Sequence, residues 1–374
     1  MVSTSTRAFG SPMRYIQGPG EYNNIETYTS AYGEKAFFLI DGFLFEGINK
    51  RLAEIYSNTG SEYVAEKFAG ECCKTEVDRV TEIIKKSNAC VVVAMGGGKT
   101  MDTGKIAAND MGLPLIIAPT SASTDAPTSA MSVLYTDTGE YIGSVRHKRN
   151  ADMVLIDTEV ISKAPLRLFV SGMGDAMATY FEARANEKSD SANYIGKGYR
   201  RCKAAMAIAK LAYDILLEDG IKAIRALKCG ACTEAVENVI EANTLLSGLG
   251  FENAGCSAAH GIHAGLTELP GTHKYLHGEK VAFGVLCQMI MENTEEEEVE
   301  KIVDFFIKIG LPVTLEQLGV EATRENISVI ANKVALHNPL IKAEPFLITE
   351  QFVHDAIVAA NETGKHYLEL AGKA

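Results

Sequence analysis

Short, nearly continuous apolar runs alternate with amphipathic stretches over roughly the first 160 residues. Lys35–Ile40 reads as a buried strand closing at Asp41-Gly42, and Leu44–Tyr56 as a helix. Glu62–Lys67 reads as a second, half-exposed strand. Glu76–Lys86 has the apolar spacing of a helix through Val77, Val80, Ile83 and Ile84. Ala89–Met95 carries the strongest strand signal, followed by Leu115–Ala118 and later by Met153–Asp157. Ser132–Tyr135 and Glu140–Ser144 predict a hairpin about Thr136–Gly139. Such alternation predicts a parallel sheet covered on both faces. From about Ser162 strand signals vanish. Helical patterns take over at Asn193–Leu217, Thr233–Leu249, Lys280–Glu292 and Glu350–Leu370. The break at Lys163–Pro165 separates an α/β nucleotide-binding half, residues 1–162, from an all-helical half, residues 163–374.

The strongest strand runs into Gly96-Gly97-Gly98-Lys99-Thr100 and then a helical stretch, Met101–Ala108. Strand, glycine turn and helix bring backbone N–H groups and a positive helix end onto a phosphate. The spacing is not that of a P-loop, whose first glycine would fall at Val93, nor GxGxxG, which needs glycine where Met101 stands. Asp41 ends an early strand, where a carboxylate bonds ribose hydroxyls and repels a 2′-phosphate, pointing to NAD over NADP; it also suits a plain turn. The loop Pro119–Ala130 is rich in hydroxyls and holds one charge, Asp125. That carboxylate either binds a polar ligand or caps a following helix with Pro127 in its first turn.

Four of the eight histidines, His260, His263, His273 and His277, fall within Cys256–Lys280. The first pair is i,i+3 and shares a helical face; the second is i,i+4, and Pro270-Gly271 separates the pairs. The spacing fits either a metal site or two solvated helix ends. Asp175, after Gly172 and Gly174, is a second carboxylate candidate, or the cap of the apolar helix that follows.

Composition narrows the classes. A chain of 374 residues fits two domains, with 47% hydrophobic and 22% charged residues, an ordinary globular balance. A net charge of −12 argues against nucleic acid as a partner. No apolar leader core and no run of about 18 apolar residues is present, so neither secretion nor a membrane span is expected, and a cytoplasmic location is. Eight scattered cysteines, with one CxxC at Cys229–Cys232, fit a reduced compartment without a disulfide framework.

Taken together, GGGKTMDTGKIAA, PTSASTDAPTSA, GMGDAMATYFEA and AAHGIHAGLT…YLHGEKVAFG resemble the glycerol dehydrogenases of the iron-activated (group III) alcohol dehydrogenase superfamily, which includes dehydroquinate synthase. The resemblance runs over nearly the whole chain. It implies a dehydroquinate synthase-like fold: a Rossmann-like N-terminal domain and a helical C-terminal one. It implies a zinc ion held by Asp175, His260 and His277, with Thr179 where iron-type relatives carry a further histidine. His263 and His273 are then pocket or outer residues. The cofactor positions map onto Asp41, Gly96, Gly97, Gly98, Lys99, Thr120, Ser123, Ser129, Met131 and Tyr135, and the polyol contact onto Asp125. The implied activity is reversible oxidation of glycerol at C2 to dihydroxyacetone with NAD, in a homo-oligomer, often an octamer. Rival readings are another vicinal-diol or hydroxyketone enzyme, a phosphorylated-polyol dehydrogenase, and a metal- and nucleotide-binding module without turnover. Anionic substrates would call for more cations than Lys274 and Lys280.

Overall fold

All five segments of the first half read as sheet strands are strands in the computed structural model, which describes residue 2 and residues 4–373. They are β2 (Lys35–Ile40), β3 (Glu62–Lys67), β4 (Val91–Gly96), β5 (Leu115–Pro119) and β8 (Met153–Asp157). The predicted hairpin is β6 (Met131–Tyr135) against β7 (Tyr141–Arg146), antiparallel. A sixth strand, β1 (Tyr15–Gly18), escapes the pattern because it is a four-residue, half-buried edge strand. It pairs only with β8. The main sheet has the order β1-β8-β5-β4-β2-β3, parallel throughout. Phe37–Ile40 and Val91–Ala94 show no exposed surface. This is why the central strands read as unbroken apolar runs: both faces are covered. Each such side chain contributes about 1.5–3 kcal/mol by leaving water.

Register decides what the sheet presents at its carboxyl end. Ile40 pairs with Met95, and Met95 with Ala118. The turns after β2, β4 and β5 therefore emerge side by side, and backbone bonds continue past the strands. Asp41 N–H donates to Met95 O at 2.9 Å, and Thr120 N–H to Gly96 O at 3.2 Å. The chain runs outward from β2 to β3 and returns to β4 on the other side of β2. The β2 and β4 turns thus flank the reversal of strand order where parallel sheets bind ligands.

Gly10–Ala164 forms one compact unit. The other comprises the described residues up to Phe9 and those from Pro165 onward. The N-terminal segment joins the helical unit through a bridge between Arg7 and Arg200 and a bond from Asn193 Nδ2 to Ala8 O at 3.0 Å. Among its described residues the helical unit contains no strand beyond that bridge.

Three helix expectations shift. The helix expected over Asn193–Leu217 spans Lys203–Lys228. Residues 193–200 instead turn through Gly196, Lys197 and Gly198, all at positive φ, which a helix cannot absorb. The one expected over Thr233–Leu249 is Glu234–Glu241, a π-turn at Ala242–Leu246, and then Ser247–Ala254. The one expected from Lys280 begins three residues earlier, at His277. Among the described residues no helix is long and apolar enough to cross a membrane.

Candidate functional site

Asp175, His260 and His277 come from three helices, Leu166–Ser189, Ala258–Leu266 and His277–Met291. Glycine sets how closely these helices meet. A Cβ on Gly278 would stand 1.8 Å from Ser171 O, and one on Gly174 would stand 2.4 Å from Gly278 O. The Gly278 N–H donates to Ser171 Oγ at 3.2 Å. The Asp175 and His277 backbones, each adjacent to one of these glycines, are drawn together by that contact. Asp175 is thus not a helix cap but sits mid-helix, fully buried, because its helix begins at Leu166.

Every N–H at the start of the His260 helix has a side-chain acceptor. Glu182 Oε1 accepts from Ser257 N (2.7 Å) and His260 N (2.9 Å). Glu344 Oε1 accepts from Ala258 N at 3.3 Å and from Ser257 Oγ at 2.5 Å. Gln288 Oε1 accepts from Ala259 N at 3.1 Å. These groups satisfy the donors that a helix start leaves open. The His277 helix is seated comparably. Glu279 accepts from Leu276 N at 2.7 Å and is clamped by Arg167 through two bonds of 2.6 and 2.7 Å.

The functional atoms then converge. Asp175 Oδ1 lies 3.3 Å from His260 Nε2 and 3.1 Å from His277 Nε2, and the two nitrogens are 3.4 Å apart. Zinc–ligand bonds of about 2.0–2.1 Å in tetrahedral array place ligand atoms about 3.3–3.4 Å apart. The triangle therefore matches one face of such a site, with the fourth corner left for a small molecule. His260 Nδ1 is held 2.7 Å from Glu182 Oε2, which turns Nε2 toward Asp175 and His277. Burial raises the Asp175 carboxyl, but His277 and His260 outweigh it and hold the acid well below the usual carboxylate range. Burial lowers His260, while Glu182 and Asp175 raise it; the acids prevail.

His263 packs beside the triad, its ring centroid 4.2 Å from that of His277. Burial and the nearby His277 and Lys280 hold it well below its ordinary value, so it is neutral. His273 is apart, its Nε2 3.0 Å from Thr267 O. Thr179, one turn beyond Asp175, is buried with Oγ1 2.8 Å from Ser247 Oγ. Sequence reasoning missed Glu182. Its signal was its place seven residues after Asp175, two turns along the same helix. Glu344 and Gln288 lie too far along the chain for spacing to reveal.

In the other unit, a cavity of about 480 Å³ is lined by Asp41, Phe43, Lys67, Gly97, Gly98 and Lys99, among others. The helix Gly98–Met111 starts inside the triple glycine, earlier than expected, with no side-chain cap on Gly97. Nothing lies within 4 Å of where a Cβ on Gly97 would stand. Protein packing thus does not require glycine there, and the backbone is open on that side. Lys99 pairs with Glu71, also missed from sequence, and lies 4.8 Å over the Tyr135 ring. Thr120 is buried beside Gly96. Ser123 and Asp125 sit on bends of the loop, Ser129 lies just after its turn, and Met131 opens β6. No helix follows Asp125, so the capping alternative fails. Cys229 and Cys232 are exposed and not joined in a disulfide; Cys232 Sγ lies 3.6 Å from Glu237 Oε1.

Residues 12–158 match the model of the iron-containing alcohol dehydrogenase family. A glycerol dehydrogenase of Thermotoga maritima is 42% identical over 357 residues, covering 95% of this chain and 96% of its own. A crystal structure of a probable glycerol dehydrogenase from Sinorhizobium meliloti 1021 is 45% identical and superimposes with a TM-score of 0.91, covering 96% of this chain and 99% of its own. The glycerol dehydrogenase structure from Schizosaccharomyces pombe is 34% identical, with a TM-score of 0.93 over 100% of this chain and 95% of its own.

Two outcomes are expected from this geometry. Gly278→Ala pushes two helices apart at the Asp175–His277 contact, so metal retained after dialysis should fall about tenfold or more by elemental analysis. Wild-type metal content in a folded variant would refute the coupling. The second concerns Glu344, whose acid is pushed up to about 8, chiefly by burial. A carboxyl raised in the fold stabilises it fully below the unfolded value of about 4.3, and that stability is lost as pH rises through about 8. Glu344→Gln should therefore raise Tm relative to wild type at pH 9 but not at pH 5; equal shifts at both would reject this account.

Proposed function

We propose a reaction for this chain from the premise that it belongs to the glycerol dehydrogenases of the iron-containing alcohol dehydrogenase family. It is a polyol dehydrogenase. The proposed reaction is reversible oxidation of glycerol at C2 to dihydroxyacetone, with NAD as hydride acceptor and zinc held by Asp175, His260 and His277. The observation that carries it is the 3.1–3.4 Å triangle of one carboxylate oxygen and two imidazole nitrogens. Two imidazole nitrogens and one carboxylate oxygen are a donor set that zinc accepts, and three protein ligands leave a position for substrate. When bound, zinc supplies Lewis acidity: it lowers the pKa of a coordinated hydroxyl by several units, as it brings that of water from about 15.7 to about 7.

The chain's own residues do the rest. Glu182 holds His260 in the tautomer that offers Nε2. Asp175, buried and anionic, balances part of the added charge. Asp125 orients the polyol by accepting from a second hydroxyl, which separates diols from simple alcohols. Gly97, Gly98 and the uncapped helix start at Gly98 receive the pyrophosphate on backbone N–H groups. Asp41 lies in the same cavity and receives the ribose hydroxyls, disfavouring a 2′-phosphate. Thr120, Ser123, Ser129, Met131 and Tyr135 form the nicotinamide side of the site. Lys99 already carries Glu71 as a partner, so its charge is largely neutralised; the glycine backbone is the main anion receptor. Catalysis then rests on bringing the carbinol C–H and the nicotinamide carbon to about 3–3.5 Å.

Asp175→Asn should abolish stoichiometric zinc and reduce turnover of glycerol with NAD at least a hundredfold, by elemental analysis and absorbance at the NADH band. Retention of both at wild-type levels would show that the metal lies elsewhere. For Asp125→Ala, kcat/KM for glycerol should drop about 10- to 100-fold, while a monohydric secondary alcohol loses little. Matching losses on the two substrates would contradict the orienting role.

A further inference from the structure

The loop from Ser121 to Ala130 has no helix or strand of its own. Asn150 Nδ2 donates to Thr128 O at 3.0 Å and His147 N–H to Ala130 O at 2.8 Å. Beneath the loop lies a buried lysine. Lys105 belongs to the helix that opens at the glycine turn, Gly98–Met111, and its side chain is 2% exposed. Its ammonium donates to Ala126 O at 2.6 Å and to Met131 O at 2.8 Å. Its only carboxylate among the described residues, Asp102 Oδ1, is farther, at 3.3 Å. The two carbonyls are therefore its closest partners. Asp102 completes the grip: Oδ2 accepts from Val133 N at 2.9 Å, and its carbonyl accepts from Ser132 Oγ at 3.0 Å. Ser132 Oγ is in turn 2.8 Å from His147 Nε2. One helical turn thus bonds to Ala126, Met131, Ser132 and Val133, alongside the hairpin pairing of β6 with β7.

A buried ammonium is unfavourable unless each of its donors is satisfied, and an apolar side chain would pack there at less risk. What an apolar side chain cannot do is tie two carbonyls, five residues apart, to a helix that starts at the glycine turn. Those carbonyls bracket the loop's functional stretch. Ala126 follows Asp125, and Met131 closes the segment that holds Ser129. We propose that Lys105 is a positioning residue for cofactor and substrate: it fixes the backbone of residues 126–131 so that Asp125, Ser129 and Met131 meet their ligands. This rests on the reading above that the loop contacts the nicotinamide and the polyol. Lys105 itself touches neither.

The test compares three zinc-loaded enzymes: wild type, Lys105→Met, and the double variant Asp102→Asn/Lys105→Met. The single variant leaves Asp102 buried without its cation, so it should lose both thermal stability and NADH affinity. The double variant has no buried charge, and its asparagine still accepts from Val133. Its Tm should return towards wild type. Its NADH Kd, by fluorescence titration, should stay raised about tenfold or more, with KM for NAD rising and zinc content unchanged. A double variant that regains Tm and wild-type NADH affinity together would overturn the positioning role, as would a Lys105→Met enzyme that binds NADH normally. Failure of the wild type to bind NADH would instead bring down the cofactor reading, and this proposal with it.

Discussion

Two helix backbones meet at Gly174 and Gly278 with no room for a Cβ on either side, and the centre depends on that contact. Asp175 and His277 are each the next residue to one of these glycines. Widening the contact by one methyl group exceeds the tolerance of a ligand triangle whose edges are 3.1–3.4 Å. The same economy of side chain recurs where a Cβ on Gly284 would stand 2.3 Å from Ala259 O, beside His260. Close-packed backbones therefore do the work of a rigid mould.

Around this mould the buried charges are arranged so that none stands alone. Asp175 and Glu182 are fully buried, and a carboxylate in that environment persists only when paired and hydrogen-bonded. Glu182 meets two backbone N–H groups and one imidazole; Asp175 meets two imidazoles. Glu344 marks the opposite limit. It has one oxygen bonded to Ser257 and Ala258 and the other buried without a partner, and its proton is held to about pH 8. The contrast between Asp175 and Glu344 shows what decides ionisation here: Asp175 faces two imidazoles, whereas burial and the neighbouring Glu292 and Glu182 raise Glu344 despite its two donors.

The α/β unit follows a different logic. It leaves groups open instead of closing them. The helix start at Gly98 has no capping side chain, and the space about Gly97 is clear. Positive potential comes from backbone N–H groups, while the cation at the turn, Lys99, is countered by Glu71. Rigidity is supplied from below through Lys105 and Asp102, which bind loop carbonyls and N–H groups. A ligand can thus be received by fixed dipoles without side chains having to move.

Much of this was legible in the residues. The strands β2, β4, β5 and β8 announce themselves because a doubly covered sheet demands apolar residues at nearly every position, a local property; β3, half-exposed at the sheet edge, shows a weaker pattern. The change to helical texture near Pro165 is local too, as is the glycine turn after β4. The choice of Asp175, His260 and His277 came from resemblance over four motifs, since spacing alone left the histidines open. Other features are not local. The turn at Gly196–Gly198 depends on backbone conformations that Lys197 does not advertise. Glu182, Glu344 and Gln288 become partners of one helix start only after three helices have packed. By itself the sequence determined the long, strongly patterned strands and helices and which residue types are available for chemistry, because hydrogen bonding within an element and burial of its apolar face follow from neighbours in the chain. Only the tertiary structure decided which buried acid faces which imidazole and which lysine grips which carbonyl, because those pairings are set by contacts between elements whose separation in sequence carries no distance information.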